Sequence, residues 1–78
     1  MPSVIIYSTP TCVWCKTAKK FFDEHKIAYQ EIDVAADFAQ AEAMIQKSGQ
    51  ATVPVIEVDG EIVIGFDKPK LRELLGLN

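Results

Sequence analysis

The sequence predicts an α/β domain in the order βαβα-ββα: a four-stranded mixed sheet flanked by three helices. Three observations carry that expectation. A continuous apolar, β-branched run at Val4 to Tyr7 leads straight into a stretch with helical periodicity and then into a second strand-like run, which is the pattern of a strand-helix-strand crossover. A second helical stretch follows. Asp59-Gly60 then separates two short apolar runs, the strongest short-range signal for a β-hairpin. A crossover places the first two strands parallel in one sheet, the hairpin adds two antiparallel strands, and the helices cover both faces.

Each element has its own justification. Val4, Ile5, Ile6 and Tyr7 do not alternate apolar with polar, so the first strand is expected to be central and buried on both faces. Ser8 to Thr11, with Pro10, supplies a turn. The first helix is expected from about Cys12 to about His25, because Trp14, Ala18, Phe21 and Phe22 recur at the i, i+4, i+7, i+8 spacing of one helix face. A second strand is expected from Ala28 to Asp33, where the alternation is imperfect. The second helix begins near Asp37, carries Phe38, Ala41, Met44 and Ile45 at helical spacing, and stops at Gly49, which suits a left-handed cap. Val55 to Val58 and Glu61 to Ile64 form the hairpin. Gly65 ends it, and a last helix runs from Lys68 or Pro69 to Leu75, with Gly76 after it.

The chain has 78 residues, so one domain spanning 1–78 is expected, with a modest core. Hydrophobic residues make up 49% and charged residues 24%, a balance that excludes disorder over most of the chain. The net charge of -3 argues against a nucleic-acid partner. No uncharged apolar stretch approaches about 20 residues, which argues against a membrane partner, and no basic, apolar and small-residue leader opens the chain. The two cysteines cannot make the framework of a small secreted domain, so a reducing, cytoplasmic setting is expected. At this size a monomer is the default.

Those two cysteines are the most informative feature. Cys12 and Cys15, spaced C-x-x-C, fall where the first strand ends and the first helix starts. There, unpaired backbone N–H groups and the positive end of the helix dipole favour thiolate over thiol at Cys12. Cys15, one turn further in, is placed to be buried and to attack a mixed disulfide formed at Cys12. The spacing alone also suits zinc, but two thiolates need two further ligands, and His25 at the far end of the helix is poorly placed, so no metal site is expected. Lys16 follows the pair closely enough to influence it. Lys19 and Lys20 read as the solvated face of the helix. His25 is expected to interact with the helix C-terminus.

Taken together, T-C-V-W-C after the first strand, T-V-P about forty residues later, the D-G hairpin and a following G-F-D resemble the glutaredoxin-like branch of the thioredoxin fold over essentially the whole chain. The resemblance implies a thiol-disulfide oxidoreductase with Cys12 and Cys15 catalytic, no tightly bound cofactor, and glutathione as reductant or co-substrate. It implies that Pro54 is cis and that Val53 turns its backbone N–H and C=O outward to pair with substrate. Thr11, Trp14, Lys16, Thr52, Val53, Pro54, Gly65, Phe66 and Asp67 are the substrate-binding candidates. Trp14 stands where many glutaredoxins have tyrosine, as part of a substrate platform or simply packed on the helix. Val13 replaces a common proline. Thr9 occupies the position where glutathione-binding members carry a lysine, so one contact to the tripeptide's carboxylate is missing. Asp67 is placed to accept the γ-glutamyl ammonium or to cap the last helix. Gly65-Phe66 is also similar to the G-F of NrdH-type redoxins, which thioredoxin reductase reduces. The implied partners are therefore disulfide-containing proteins and either glutathione or thioredoxin reductase. Two readings of other classes stay open: an iron-sulfur cluster carrier, as some glutaredoxins are, and a non-catalytic binding module.

Overall fold

The computed structural model describes residues 2–77. Its elements run β1 (Val4–Ser8), α1 (Val13–Glu24), β2 (Gln30–Asp33), α2 (Phe38–Ser48), β3 (Val55–Val58), β4 (Glu61–Ile64) and α3 (Lys68–Leu74). The sheet has four strands in the order β2-β1-β3-β4. β1 and β2 are parallel, whereas β1 with β3 and β3 with β4 are antiparallel. This is the expected mixed sheet, with β1 and β3 in its centre.

Alternation along the two central strands divides the core. Val4 and Ile6 of β1 and Ile56 and Val58 of β3 pack with Ala18, Phe21 and Phe22 of α1 and Leu71 of α3. Ile5, Tyr7 and Val55 face the other way, into a smaller cluster around Met44 of α2. Helices thus cover both faces. Ile6, Phe22, Ile56 and Leu71 are fully buried, and each such side chain is worth about 1.5 to 3 kcal/mol relative to exposure. The hairpin turn has positive φ at both Asp59 (49°) and Gly60 (88°), the primed geometry that matches strand twist.

The differences from expectation lie at element ends and on α2. β1 extends one residue further, because Ser8 pairs with Asp33 instead of opening the turn. β2 starts at Gln30, since Ala28 and Tyr29 precede the ladder and Tyr29 turns its ring onto Phe22. α1 is bounded by Cys12 and His25 as caps outside its helical span. On α2 only Met44 is buried, while Phe38 and Ile45 are 78% and 41% exposed. The helix meets the sheet along the line of Met44, and Phe38, directly after the Asp37 cap, lies at its open end. Gly49 ends α2 in the left-handed region at φ 74°, as its place in the sequence predicts.

Candidate active site

In open α/β sheets the carboxyl ends of the strands offer the natural site for chemistry. β1 ends at Ser8, and a turn in which Cys12 N–H donates to Thr9 C=O at 3.3 Å delivers the chain to α1. Cys12 is the N-cap of that helix, in extended conformation at φ -83°, ψ 114°. Its sulfur does what a capping oxygen does elsewhere: Cys15 N–H donates to Cys12 Sγ at 3.1 Å. Cys12 is half-buried and Cys15 fully buried, and the two are joined as a disulfide with a Cα–Cα distance of 5.2 Å, inside the usual range of about 4.4 to 6.8 Å. When the pair is reduced, the same N–H and the helix dipole act on a Cys12 thiolate.

The second wall comes from β3 and the segment before it. The Val53-Pro54 peptide is cis, with Pro54 buried and Val53 half-buried. Tyr7 pairs with Val55, and continuing that register places Pro54 alongside Ser8 and Val53 alongside the turn that leads to Cys12. Gly65 N–H donates to Pro54 C=O at 2.8 Å, which fixes the Gly65-Phe66-Asp67 segment against the proline. Among the described residues the backbone N–H and C=O of Val53 take no hydrogen-bond partner.

Trp14 is 61% exposed and stacks on Phe66, with ring centroids 6.4 Å apart and planes 23° apart. The indole is thus packed on one side and open on the other. Val13 beside it is 72% exposed. Asp67 caps α3, its Oδ1 accepting from Lys70 N–H at 3.3 Å. Thr11, Lys16 and Thr52 are exposed. The Thr52 hydroxyl donates to Gln50 Oε1 at 3.2 Å, within its own loop. Trp14, within the C-x-x-C turn, is thus tied by stacking to Phe66, and the neighbouring Gly65 by a hydrogen bond to Pro54, whereas the side chains of Thr11, Lys16 and Thr52 show no such ties among the described residues.

Two polar clusters lie next to this site. The Ser8 hydroxyl donates to Glu31 Oε2 at 2.8 Å, and Lys19 Nζ reaches the same oxygen at 2.8 Å. Lys19 therefore departs from its expected place on a freely solvated face. Its hydrogen bond to Glu31 raises the Lys19 pKa, and the bonds from Lys19 and Ser8 lower that of Glu31. On the other face, Lys47 Nζ donates to the buried Tyr7 hydroxyl at 2.8 Å and pairs with Glu57 at 3.4 Å; the bond to Tyr7 raises the Lys47 pKa. Neither cluster has a short-range signature, because its bonded partners are 10 to 40 residues apart in sequence. His25 binds the end of its helix as expected, with Nδ1 2.9 Å from Phe21 C=O.

The family profile for glutaredoxin matches residues 4–63. The chain belongs to the glutaredoxin family. It is 43% identical over 70 residues to an uncharacterised glutaredoxin-like 8.6 kDa protein in the rubredoxin operon of Clostridium pasteurianum, covering 90% of this chain and 93% of that one. It is 35% identical over 71 residues to the glutaredoxin-like protein NrdH of Lactococcus lactis subsp. cremoris, covering 91% and 97%. A solved thioredoxin-like protein superposes over the full length of both chains with a TM-score of 0.91 and 32% identity. The fold is thus the thioredoxin fold, and this glutaredoxin is a thiol-disulfide oxidoreductase with its cysteine pair at the start of α1.

Proposed function

We propose that the protein reduces disulfides in protein substrates and glutathione mixed disulfides, with Cys12 attacking and Cys15 resolving. The observation that carries this reading is the cap itself. Cys12 Sγ accepts the Cys15 N–H at the helix start, while Cys15 is sealed beneath it. In the first step the Cys12 thiolate attacks a substrate disulfide, forming a mixed disulfide and expelling one substrate thiolate. Cys15 then loses its proton and attacks Cys12 Sγ, releasing the second substrate thiolate and leaving Cys12-Cys15 oxidised by two electrons. Substrate backbone pairs with the free N–H and C=O of Val53, beside Pro54, with Trp14 and Phe66 supplying an apolar shelf. Thr11, Thr52 and Gly65 line the approach, and Lys16 favours anionic groups there.

Glutathione serves as reductant in this reading, with Asp67 facing its γ-glutamyl ammonium, and no tightly bound cofactor is needed. A second reading has thioredoxin reductase as the electron source. Thr9 in place of a lysine favours it, as does the match along nearly the whole length of a relative named NrdH. In either case the protein works as a monomer in a reducing compartment.

Oxidised protein is mixed with millimolar glutathione in one experiment and with NADPH plus thioredoxin reductase in another, and Trp14 fluorescence is followed. Reduction by glutathione alone supports the first reading, and reduction only by the reductase supports the second. Cys12→Ser is expected to abolish turnover, and Cys15→Ser to accumulate a mixed disulfide visible by mass spectrometry. Full activity of both variants rules out the mechanism.

A further inference from the structure

We infer that Glu31 is a positioning residue for the cysteine pair, joining the end of β1 to α1 through Ser8 and Lys19 and so holding the helix start at Cys12. Ser8 is the one buried polar residue among those described. It is the last residue of β1, four positions before Cys12, and Lys19 lies one turn beyond Cys15. The stretch between them contains the whole C-x-x-C turn. Both side chains end on a single carboxylate oxygen, each at 2.8 Å. That oxygen belongs to a third element, the edge strand β2, whose Glu31 pairs with Ile6 of β1.

The strap acts on the sulfur through geometry. Cys12 Sγ takes one N–H from the first turn of α1, at 3.1 Å, and a hydrogen bond of this kind weakens steeply as angle and distance drift. Apolar packing of Cys15, Ala18 and Phe22 fixes the depth of α1 against the sheet but leaves sliding along it less constrained, since dispersion contacts have no direction. The Lys19–Glu31–Ser8 bonds are directional. Breaking the strap loosens the N–H from the sulfur, disfavours the Cys12 thiolate and shifts the pair towards its disulfide. Lys19 also faces Asp23 and Tyr29, so its charge is not solely committed to the strap.

This inference rests on Cys12 being the attacking thiol. In reduced protein, the pH of half-maximal alkylation by iodoacetamide is measured, with fragment mass spectrometry locating the modified cysteine. The midpoint of the dithiol–disulfide equilibrium is measured in a glutathione redox buffer. Ser8→Ala, Glu31→Gln and Lys19→Met are all expected to raise the alkylation midpoint. Each is expected to cut the acid dissociation constant of Cys12 about threefold to tenfold and, where thiolate predominates, to move the equilibrium by a similar factor towards disulfide, tenfold being about 30 mV. Lys19→Arg, which keeps the charge and a donor, is expected to stay within about twofold of the parent. Opposite shifts for Glu31→Gln and Lys19→Met would mean that charge acts through space, and would overturn the positioning role. Unchanged midpoints with lowered melting temperatures would reduce the strap to a fold contact. Lys19→Met, at a partly exposed helix position, keeps the test available where Ser8→Ala fails to fold. Alkylation mapped to Cys15 would instead refute the assignment of Cys12, a separate failure.

Discussion

Replacing Asp67 separates two roles that one carboxylate can play. It is the N-cap of α3, its Oδ1 accepting from Lys70 N–H at 3.3 Å, at the start of a helix whose Leu71 is fully buried. Losing such a cap to alanine costs about 1 kcal/mol. In a domain of this size, about 1 kcal/mol corresponds to a fall of roughly 4 to 8 °C in melting temperature. Asparagine keeps the accepting oxygen and ranks with aspartate as a cap, so Asp67→Asn is expected to lose only the dipole interaction, about 0.3 kcal/mol at an exposed site. The assay is calorimetric or circular-dichroism melting of the oxidised proteins, paired with KM for a glutathione mixed disulfide. If the carboxylate also binds an ammonium group, KM rises in both variants alike, while melting temperature falls mainly in alanine. Equal destabilisation by asparagine and alanine, or none by either, refutes the capping argument.

Phe22→Ala removes a ring buried between α1 and the sheet and packed against Phe21 and Tyr29; it is expected to cost about 3 to 5 kcal/mol, read as a lower urea midpoint at unchanged slope. Acid weakens the strap at Glu31. Its folded-state pKa is lowered from 4.5, chiefly by the hydrogen bonds from Lys19 and Ser8, so its stabilising contribution is complete above that value and is lost as pH falls below it. The parent is therefore expected to lose more stability than Glu31→Gln between neutral pH and the acid side of 4.5, measured by urea titration at each pH.

How far the sequence foretold this molecule depends on the range of the interactions concerned. The strand run at Val4, the hairpin at Asp59-Gly60 and the stop at Gly49 were legible, because each rests on the conformational preferences of neighbouring residues. The cysteine pair was legible for the same reason, since a strand end, a sulfur and a helix start lie within a few positions. Phe38 was not: periodicity marks it as one of α2's apolar residues, but only the seating of that helix on the sheet decides that it stays in solvent. Ser8, Glu31 and Lys19 meet through the β1–β2 register, and Tyr7, Lys47 and Glu57 through the docking of α2. Such contacts are properties of the assembled sheet, invisible to any window of sequence.

Gly65 N–H occupies the carbonyl of Pro54, while Val53, one residue earlier, has no partner for either backbone group among the described residues. The hairpin ladder therefore stops one step short of the cysteines. In the proposed mode of binding, a guest chain would find a single residue's worth of backbone there, with the next position already taken by the host. Such a dock can align a guest disulfide with Cys12 without letting the guest grow into the sheet as a further strand. In that proposed mode the backbone contact is short and does not itself read the guest's side chains. An electron carrier that must release each client after one exchange gains from both.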